Sequence, residues 1–191
     1  MPTMAMRPPV AFPAGLASDC ATLGAGAAAK GAAKTRATRQ AQAILDGHLK
    51  RLAEFRVLDP ACGSGNFLYL ALRALKDLEH KAQVEAEALG LPRGFPRIGP
   101  EVVKGIELNP YAAELARVSV WIGEIQWMLF NGFAASQNPI LKPLETIECR
   151  DALMTWQPGE SEGEGGQWIE AEWPKADAII GNPPFLGGKI M

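Results

Sequence analysis

The stretch that most constrains the fold runs over Phe55–Leu70 and joins a short apolar segment to a glycine-rich loop and a helical pattern. The apolar residues before Asp59 predict a buried strand, and Gly63 and Gly65 follow where that strand would end. In an open α/β sheet, ligands bind just beyond the carboxyl ends of the strands, where loops lead into helices. Glycine suits such a loop because a Cβ atom would block a ligand from the backbone. The stretch therefore predicts a ligand-binding loop, with a helix starting near Asn66.

A dinucleotide is one class of cofactor that binds to a glycine loop in this position. A dinucleotide fingerprint needs a third glycine and an acidic residue about 20 residues further on. In this chain the third position is Leu68, and the next acid that ends a predicted strand is Glu107. The interpretation as a dinucleotide site is therefore weak.

Beyond this loop, strand patterns alternate with helical patterns. Val102–Leu108, Thr146–Cys149 and Ala176–Ile180 predict three more short strands. Because these strands alternate with helices and no hairpin signal separates them, we predict a parallel, doubly wound α/β sheet.

Three helices are predicted around the strands. The first covers Thr38–Glu54, and the second follows the glycine loop and ends before Gly90, a normal C-terminal signal. The third has Asn109 as its N-cap and Pro110 as its first residue. This helix would lead from the second strand to the third.

Two segments are predicted to lie outside this framework. Residues 1–37 are rich in Ala, Gly and Pro, so we interpret them as disordered or as an unrelated leader, with the domain covering 38–191. Residues 158–167 are rich in Glu and Gly and predict a flexible acidic loop.

Composition narrows the class of protein. No apolar run is long enough for a transmembrane helix, so no membrane partner is expected. The three cysteines lie far apart, which favours neither a disulfide framework nor a zinc site and fits a reducing cytoplasm. We interpret the isolated His48 and His80 as surface residues and expect no metal. A net charge of −2 gives no strong nucleic-acid footprint.

Four polar residues stand at the ends of the four predicted strands: Asp59, Glu107, Asp151 and Asn182. In a doubly wound sheet these ends lie side by side along one edge. A carboxylate at Glu107 could accept both hydroxyls of a ribose, and Asp151 could accept a hydrogen bond from an adenine amino group. Taken singly, Glu107 could equally be a helix-capping acid, and Asp151 a turn residue.

Two motifs resemble those of S-adenosylmethionine-dependent DNA methyltransferases. Asp59-Pro-Ala-Cys-Gly-Ser-Gly65 looks like motif I, and Asp177-Ala-Ile-Ile-Gly-Asn-Pro-Pro-Phe185 resembles the catalytic motif IV. The resemblance covers roughly residues 45 to 191 and looks closest to the MmeI-like restriction-modification enzymes. It implies S-adenosylmethionine as cofactor, held by Asp59, Pro60, Ala61, Cys62, Gly63, Gly65, Glu107 and Asp151. It also implies a catalytic loop of Asn182, Pro183, Pro184 and Phe185, with adenine N6 in DNA as the methyl acceptor.

The Asn-Pro-Pro-Phe loop fits the chemistry of an exocyclic amine, whose lone pair is delocalised into the base. Acceptors on its N–H groups, the Asn182 side-chain oxygen and the Pro183 carbonyl, would favour the nucleophilic form and stabilise the developing positive charge. Two prolines stiffen such a loop, and Phe185 could stack on a base flipped out of double-stranded DNA. Alone, Asn-Pro-Pro is also an ordinary turn.

The resemblance also implies a larger protein. The family fold has seven strands and four are predicted here, so we expect a fragment, the N-terminal half of the catalytic domain, that is inactive alone. A C-terminal part with a target-recognition domain would be its partner. The upstream Tyr-Thr-Pro motif of the family is not found before residue 55.

Other functions remain open at this point. A methyltransferase for glutamine side chains in proteins can use the same Asn-Pro-Pro loop, although Asp-Pro-Ala-Cys in motif I favours DNA. Cytosine N4 is usually associated with Ser-Pro-Pro. A non-catalytic module for cofactor binding or subunit docking is the alternative outside enzymes.

Overall fold

The computed structural model describes residues 31–133, 143–158 and 165–183. Its helices are α1 (Gly31–Glu54), α2 (Asn66–Ala88) and α3 (Pro110–Phe130), with a short 3-10 helix at Pro100–Val102. Its strands are β1 (Val57–Asp59), β2 (Val103–Glu107), β3 (Ile147–Cys149), β4 (Met154–Gln157), β5 (Gln167–Glu170) and β6 (Ala178–Ile179). The helix α1 begins at Gly31 rather than at Thr38. No helix in the described part of the chain is long and apolar enough to cross a membrane.

Four strands form one parallel sheet in the order β3-β2-β1-β6. The chain passes from β1 outward to β2 and β3 and then returns to the other side of β1. The predicted fold class, an incomplete doubly wound α/β sheet, is therefore confirmed. The reversal of strand order between β1 and β6 is the switch point at which such sheets bind their ligands.

The described residues form two compact units. One consists of those up to Glu54 together with Leu75–Ile98, and its core brings apolar residues of α1 against the later turns of α2 (Leu45, Leu49, Ala82, Ala86 and Leu91). The other consists of Phe55–Ala74 and the residues from Gly99 onward, and it contains the sheet. In this sheet unit β1 is buried throughout, α3 packs on β2 and β3, and Ala113, Ala116 and Val120 are among the buried residues of α3.

The helix ends follow the predicted signals. Gly90 has φ +83°, and the N–H groups of Gly90 and Leu91 donate to the carbonyls of Glu87 and Ala86, which closes α2 with a Schellman motif. At the start of α3 the Asn109 side chain accepts hydrogen bonds from two backbone N–H groups, and Pro110 is the first helical residue.

Two predictions on this framework are wrong. The strands β4 and β5 form an antiparallel hairpin, whereas no hairpin was expected. All eight of their residues are exposed, so they lack the alternating burial that produces a strand signal. Cross-strand pairs such as Trp156 and Trp168 join them instead, and the two rings pack edge to face with their centroids 5.4 Å apart. Residues 159–164 of the predicted acidic loop lie outside the described residues.

The second correction concerns His48, which was expected at the surface and is 2% exposed. It follows the buried Leu45 on α1 and precedes the buried Leu49, so it shares their face. Burial lowers the pKa of the imidazole, and the Arg51 charge lowers it further.

Candidate cofactor and methyl-acceptor site

The carboxylate of Asp59 ends β1 and is 1% exposed. Its Oδ1 atom accepts a hydrogen bond from the Ala61 N–H group at 3.0 Å, while Oδ2 has no hydrogen-bond partner among the described residues. Burial raises the pKa of Asp59; the Ala61 hydrogen bond opposes this rise, and the nearby charge of Glu107 adds to it. A buried polar atom without a partner is uncommon in native proteins, so it indicates a place where a ligand is expected.

The glycine loop follows Asp59, and its two glycines have different tasks. Both have positive φ, +53° at Gly63 and +83° at Gly65. A Cβ atom on Gly65 would lie 2.9 Å from the Ala116 Cα atom, so this glycine permits the loop to pack against α3. A Cβ atom on Gly63 would meet nothing within 4 Å. Gly63 therefore leaves open space on the loop, into which a ligand can approach the backbone.

Cys62 is a packing residue within this loop. Its side chain is buried, and its N–H group donates to the Ile106 carbonyl at 3.1 Å. Burial raises the pKa of the thiol to about 12, and the charges of Asp59 and Glu107 contribute. Such a thiol is not a nucleophile near neutral pH.

Glu107 ends β2, and both of its oxygens accept backbone hydrogen bonds. The Gly63 N–H group donates to Oε2 at 2.8 Å, and the Asn109 N–H group donates to Oε1 at 2.8 Å. Glu107 therefore holds the glycine loop and the start of α3 together. A carboxylate oxygen can accept more than one hydrogen bond, so ribose hydroxyls are not excluded, and that predicted role stays a prediction.

Asp151 stands after β3, and its carboxylate makes a turn. Its Oδ1 atom accepts hydrogen bonds from the N–H groups of Leu153 at 2.7 Å and Met154 at 3.2 Å, which leads the chain into β4. The preceding Arg150, to which the sequence had given no role, donates its own backbone N–H group to the Glu107 carbonyl at 3.0 Å. Asp151 thus lies one strand beyond Glu107, and its predicted contact with adenine is untested.

The catalytic loop predicted from the sequence begins directly after β6. Ile180 donates its N–H group to the Leu58 carbonyl at 2.9 Å, which fixes the end of β6 against β1. Asn182 and Pro183 follow and are exposed, and their predicted catalytic role stays a prediction. Pro184 and Phe185 lie outside the described residues.

Gly181 connects this loop to the glycine-loop side of the site. A Cβ atom on Gly181 would lie 2.8 Å from Asp59 Oδ1, so the loop rests directly on that carboxylate. The sequence contained this glycine within the motif but gave no sign of its role, because the contact joins residues far apart in the chain.

The structure thus makes two contacts between neighbouring strand ends: Gly181 lies against Asp59 where β6 and β1 end, and Gly63 binds Glu107 where β1 and β2 end. Asp151 lies on the neighbouring strand. The described residues include no group of three or more His, Cys, Asp or Glu side chains that could hold a metal ion. The open space at Gly63 and the unpartnered Asp59 oxygen fit an organic ligand that offers hydrogen-bond donors or a cationic group. The chain is therefore a doubly wound α/β protein with a candidate ligand site beyond the ends of β1 and β2.

The family is shown by comparison with known sequences. The model of the MmeI DNA-methyltransferase domain matches residues 33–191, and the chain belongs to this family. DNA methyltransferase A of Bacillus subtilis strain 168 is 32% identical over an alignment 154 residues long, which covers 76% of this chain and 16% of that protein. A putative type II restriction enzyme and methyltransferase of Methanocaldococcus jannaschii is 28% identical over an alignment 116 residues long, which covers 59% of this chain and 10% of that protein.

Among solved structures, the Type IIL restriction-modification enzyme MmeI in complex with DNA is similar to this chain. The TM-score is 0.47 and the sequence identity 23%, over 56% of this chain and 15% of that one. The chain therefore spans only a small part of the length of each of these relatives.

Proposed function

We propose that this chain takes part in the transfer of a methyl group from S-adenosylmethionine to the N6 amine of adenine in DNA, within a restriction-modification system. The observation that carries the proposal is the contact between Asp59 and Gly181. It joins a loop suited to a cofactor with a loop suited to an acceptor amine. Membership of the MmeI DNA-methyltransferase family and the similarity to DNA methyltransferase A support DNA as the substrate.

The residues fit the two ends of the cofactor in different ways. The buried, unpartnered oxygen of Asp59 suits the cationic amino group at the methionine end. The open space at Gly63 would let the cofactor come close to the backbone of the loop. Glu107 and Asp151 would hold the ribose and the adenine. When bound, S-adenosylmethionine supplies a methyl group already activated by its sulfonium, so no metal is needed for that activation.

On the acceptor side, the chain's own residues prepare the amine. The Asn182 side-chain oxygen and the Pro183 carbonyl would accept hydrogen bonds from the two N–H groups of adenine N6, which concentrates the lone pair on nitrogen. The same two oxygens stabilise the positive charge that develops there. Phe185 would stack on the flipped base.

The test is to combine the chain with a polypeptide that supplies the C-terminal part of the family fold, incubate both with duplex DNA and tritiated S-adenosylmethionine, digest the DNA and identify the labelled nucleoside by mass spectrometry. We expect N6-methyladenine, lowered on the order of a hundredfold in Asn182→Ala because the variant lacks one preorganised acceptor. Gln167→Ala, which removes an exposed amide from β5, is the matched control and should equal the parent. Label in N4-methylcytosine, or in protein glutamine but not in DNA, would contradict the proposal.

A further inference from the structure

Gly181 lies too close to Asp59 for any other residue to occupy its position unchanged. An added Cβ atom would be 2.8 Å from Oδ1, 3.5 Å from Cγ and 3.8 Å from the Pro60 Cδ atom. The shortest of these distances is below the range that Cβ atoms adopt in proteins, so either the carboxylate or the loop would have to move.

The carboxylate is not free to move aside. Asp59 is 1% exposed, and the atom that would be struck, Oδ1, already accepts the Ala61 N–H hydrogen bond. On the loop side, the bond from Ile180 N–H to the Leu58 carbonyl fixes the backbone just before Gly181. The exposed residue that follows, Asn182, has no such restraint among the described contacts. A side chain at position 181 would therefore displace Asn182.

We propose that Gly181 is a positioning residue. Because it has no side chain, the loop that carries Asn182 can pack directly on the Asp59 carboxylate. The contact thereby fixes the position of Asn182, which would bind the target amine, relative to Asp59, which would bind the cofactor. The importance of Asn182 rests on the proposed function, whereas the contact itself does not. A displacement of about 1 Å at a reacting group can cost about a hundredfold in rate, so the seating of this loop is of direct consequence.

A double-mutant cycle tests the contact without any cofactor. Gly181→Ala is made in the parent and in an Asp59→Ser background, where the serine hydroxyl stands near the position of Cγ, an ordinary 3.5 Å from the new methyl group. Part of the loss comes from the backbone alone, because Gly181 has φ +156°, which strains any side chain at that position. We expect Gly181→Ala to lower the melting midpoint in the parent and to lower it by less in the Asp59→Ser background, where only the backbone strain remains. Equal losses in both backgrounds would overturn the proposal.

Gly165→Ala is the matched control, because a Cβ atom there meets nothing within 4 Å. Its effect should be the same in both backgrounds. If Gly181→Ala abolishes folding, the double variant should restore a cooperative melt, and a double variant that also fails to fold would overturn the proposal.

A second readout reports on position rather than stability. In the ¹⁵N-labelled chain, the side-chain amide resonances of Asn182 should move in Gly181→Ala and in Asp59→Ser but not in Gly165→Ala. Unchanged Asn182 resonances in Gly181→Ala would overturn the proposal. Both readouts work without S-adenosylmethionine, so a chain that fails to bind this cofactor would refute the proposed function and leave the contact decided by the cycle.

Discussion

Replacing Glu107 by glutamine should loosen the glycine loop and the start of α3 even when no cofactor is present. In the parent, one oxygen accepts from Gly63 and the other from Asn109, each at 2.8 Å. Glutamine has a single acceptor oxygen, and its NH₂ group must then face one of the two N–H groups, donor against donor. One of the two bonds is therefore lost whichever way the amide is turned.

The magnitude follows from the charge on the acceptor. A hydrogen bond to a charged group is worth about 1.5–3 kcal/mol. Since every 1.4 kcal/mol is about tenfold in an equilibrium constant, the amide that loses its acceptor should exchange its hydrogen about tenfold to a hundredfold faster.

Amide hydrogen exchange followed by NMR at Gly63 and Asn109 measures this directly. Glu145→Gln is the matched control, because Glu145 is exposed and precedes β3 without contributing to the site. If both amides exchanged at the parent rate in Glu107→Gln, the two hydrogen bonds to Glu107 would not hold the loop and the helix start together. The only remaining role of Glu107 would then be to bind a ligand.

Three further predictions rest on individual contacts. Asp59→Asn should raise the melting midpoint of the chain at pH 8 in the absence of cofactor. Burial raises the pKa of Asp59, so its ionisation lowers the free energy of unfolding as the pH rises above 3.8, and asparagine does not ionise. A lower midpoint in calorimetry would contradict this. His48→Leu should weaken the pH dependence of the free energy of unfolding below pH 6.5. The buried imidazole has a lowered pKa, so the folded parent loses stability as the pH falls through that range. Urea titrations that show the same pH dependence in the variant and the parent would refute this. Gly65→Ala should lower stability by about 1–3 kcal/mol, since the new methyl group strikes the Ala116 backbone from a positive φ, while Gly47→Ala, with open space in α1, should not.

The sequence predicted the parts of the fold that depend on local signals. Asn109 and Pro110 mark the start of α3, and Gly90 marks the end of α2, because caps and helix breakers act within a few residues. The β4–β5 hairpin was missed for the opposite reason. Its exposed strands carry no burial pattern, and their pairing depends on contacts across a long connection.

In the candidate site too, the positions of single residues were predicted from the sequence, whereas the contacts between distant residues were not. The motifs predicted that Asp59, Glu107 and Asn182 stand at strand ends, and the parallel sheet places those ends along one edge. The double hydrogen bond of Glu107 and the seating of Gly181 on Asp59 involve residues distant in sequence. Such contacts follow from strand order and register, which periodicity alone does not determine.

The measurement that tests the central claim most directly is isothermal titration of S-adenosylmethionine into the chain, its Asp59→Asn variant and the Glu145→Gln control. We predict binding of one molecule per chain, at least about tenfold weaker in Asp59→Asn through loss of a charged partner, and unchanged in the control. Because Asp59→Asn is expected to be the more stable protein, weaker binding could not be assigned to unfolding. Absence of binding to a parent chain whose Gly63 and Asn109 amides are protected, or equal binding by Asp59→Asn, would contradict the account.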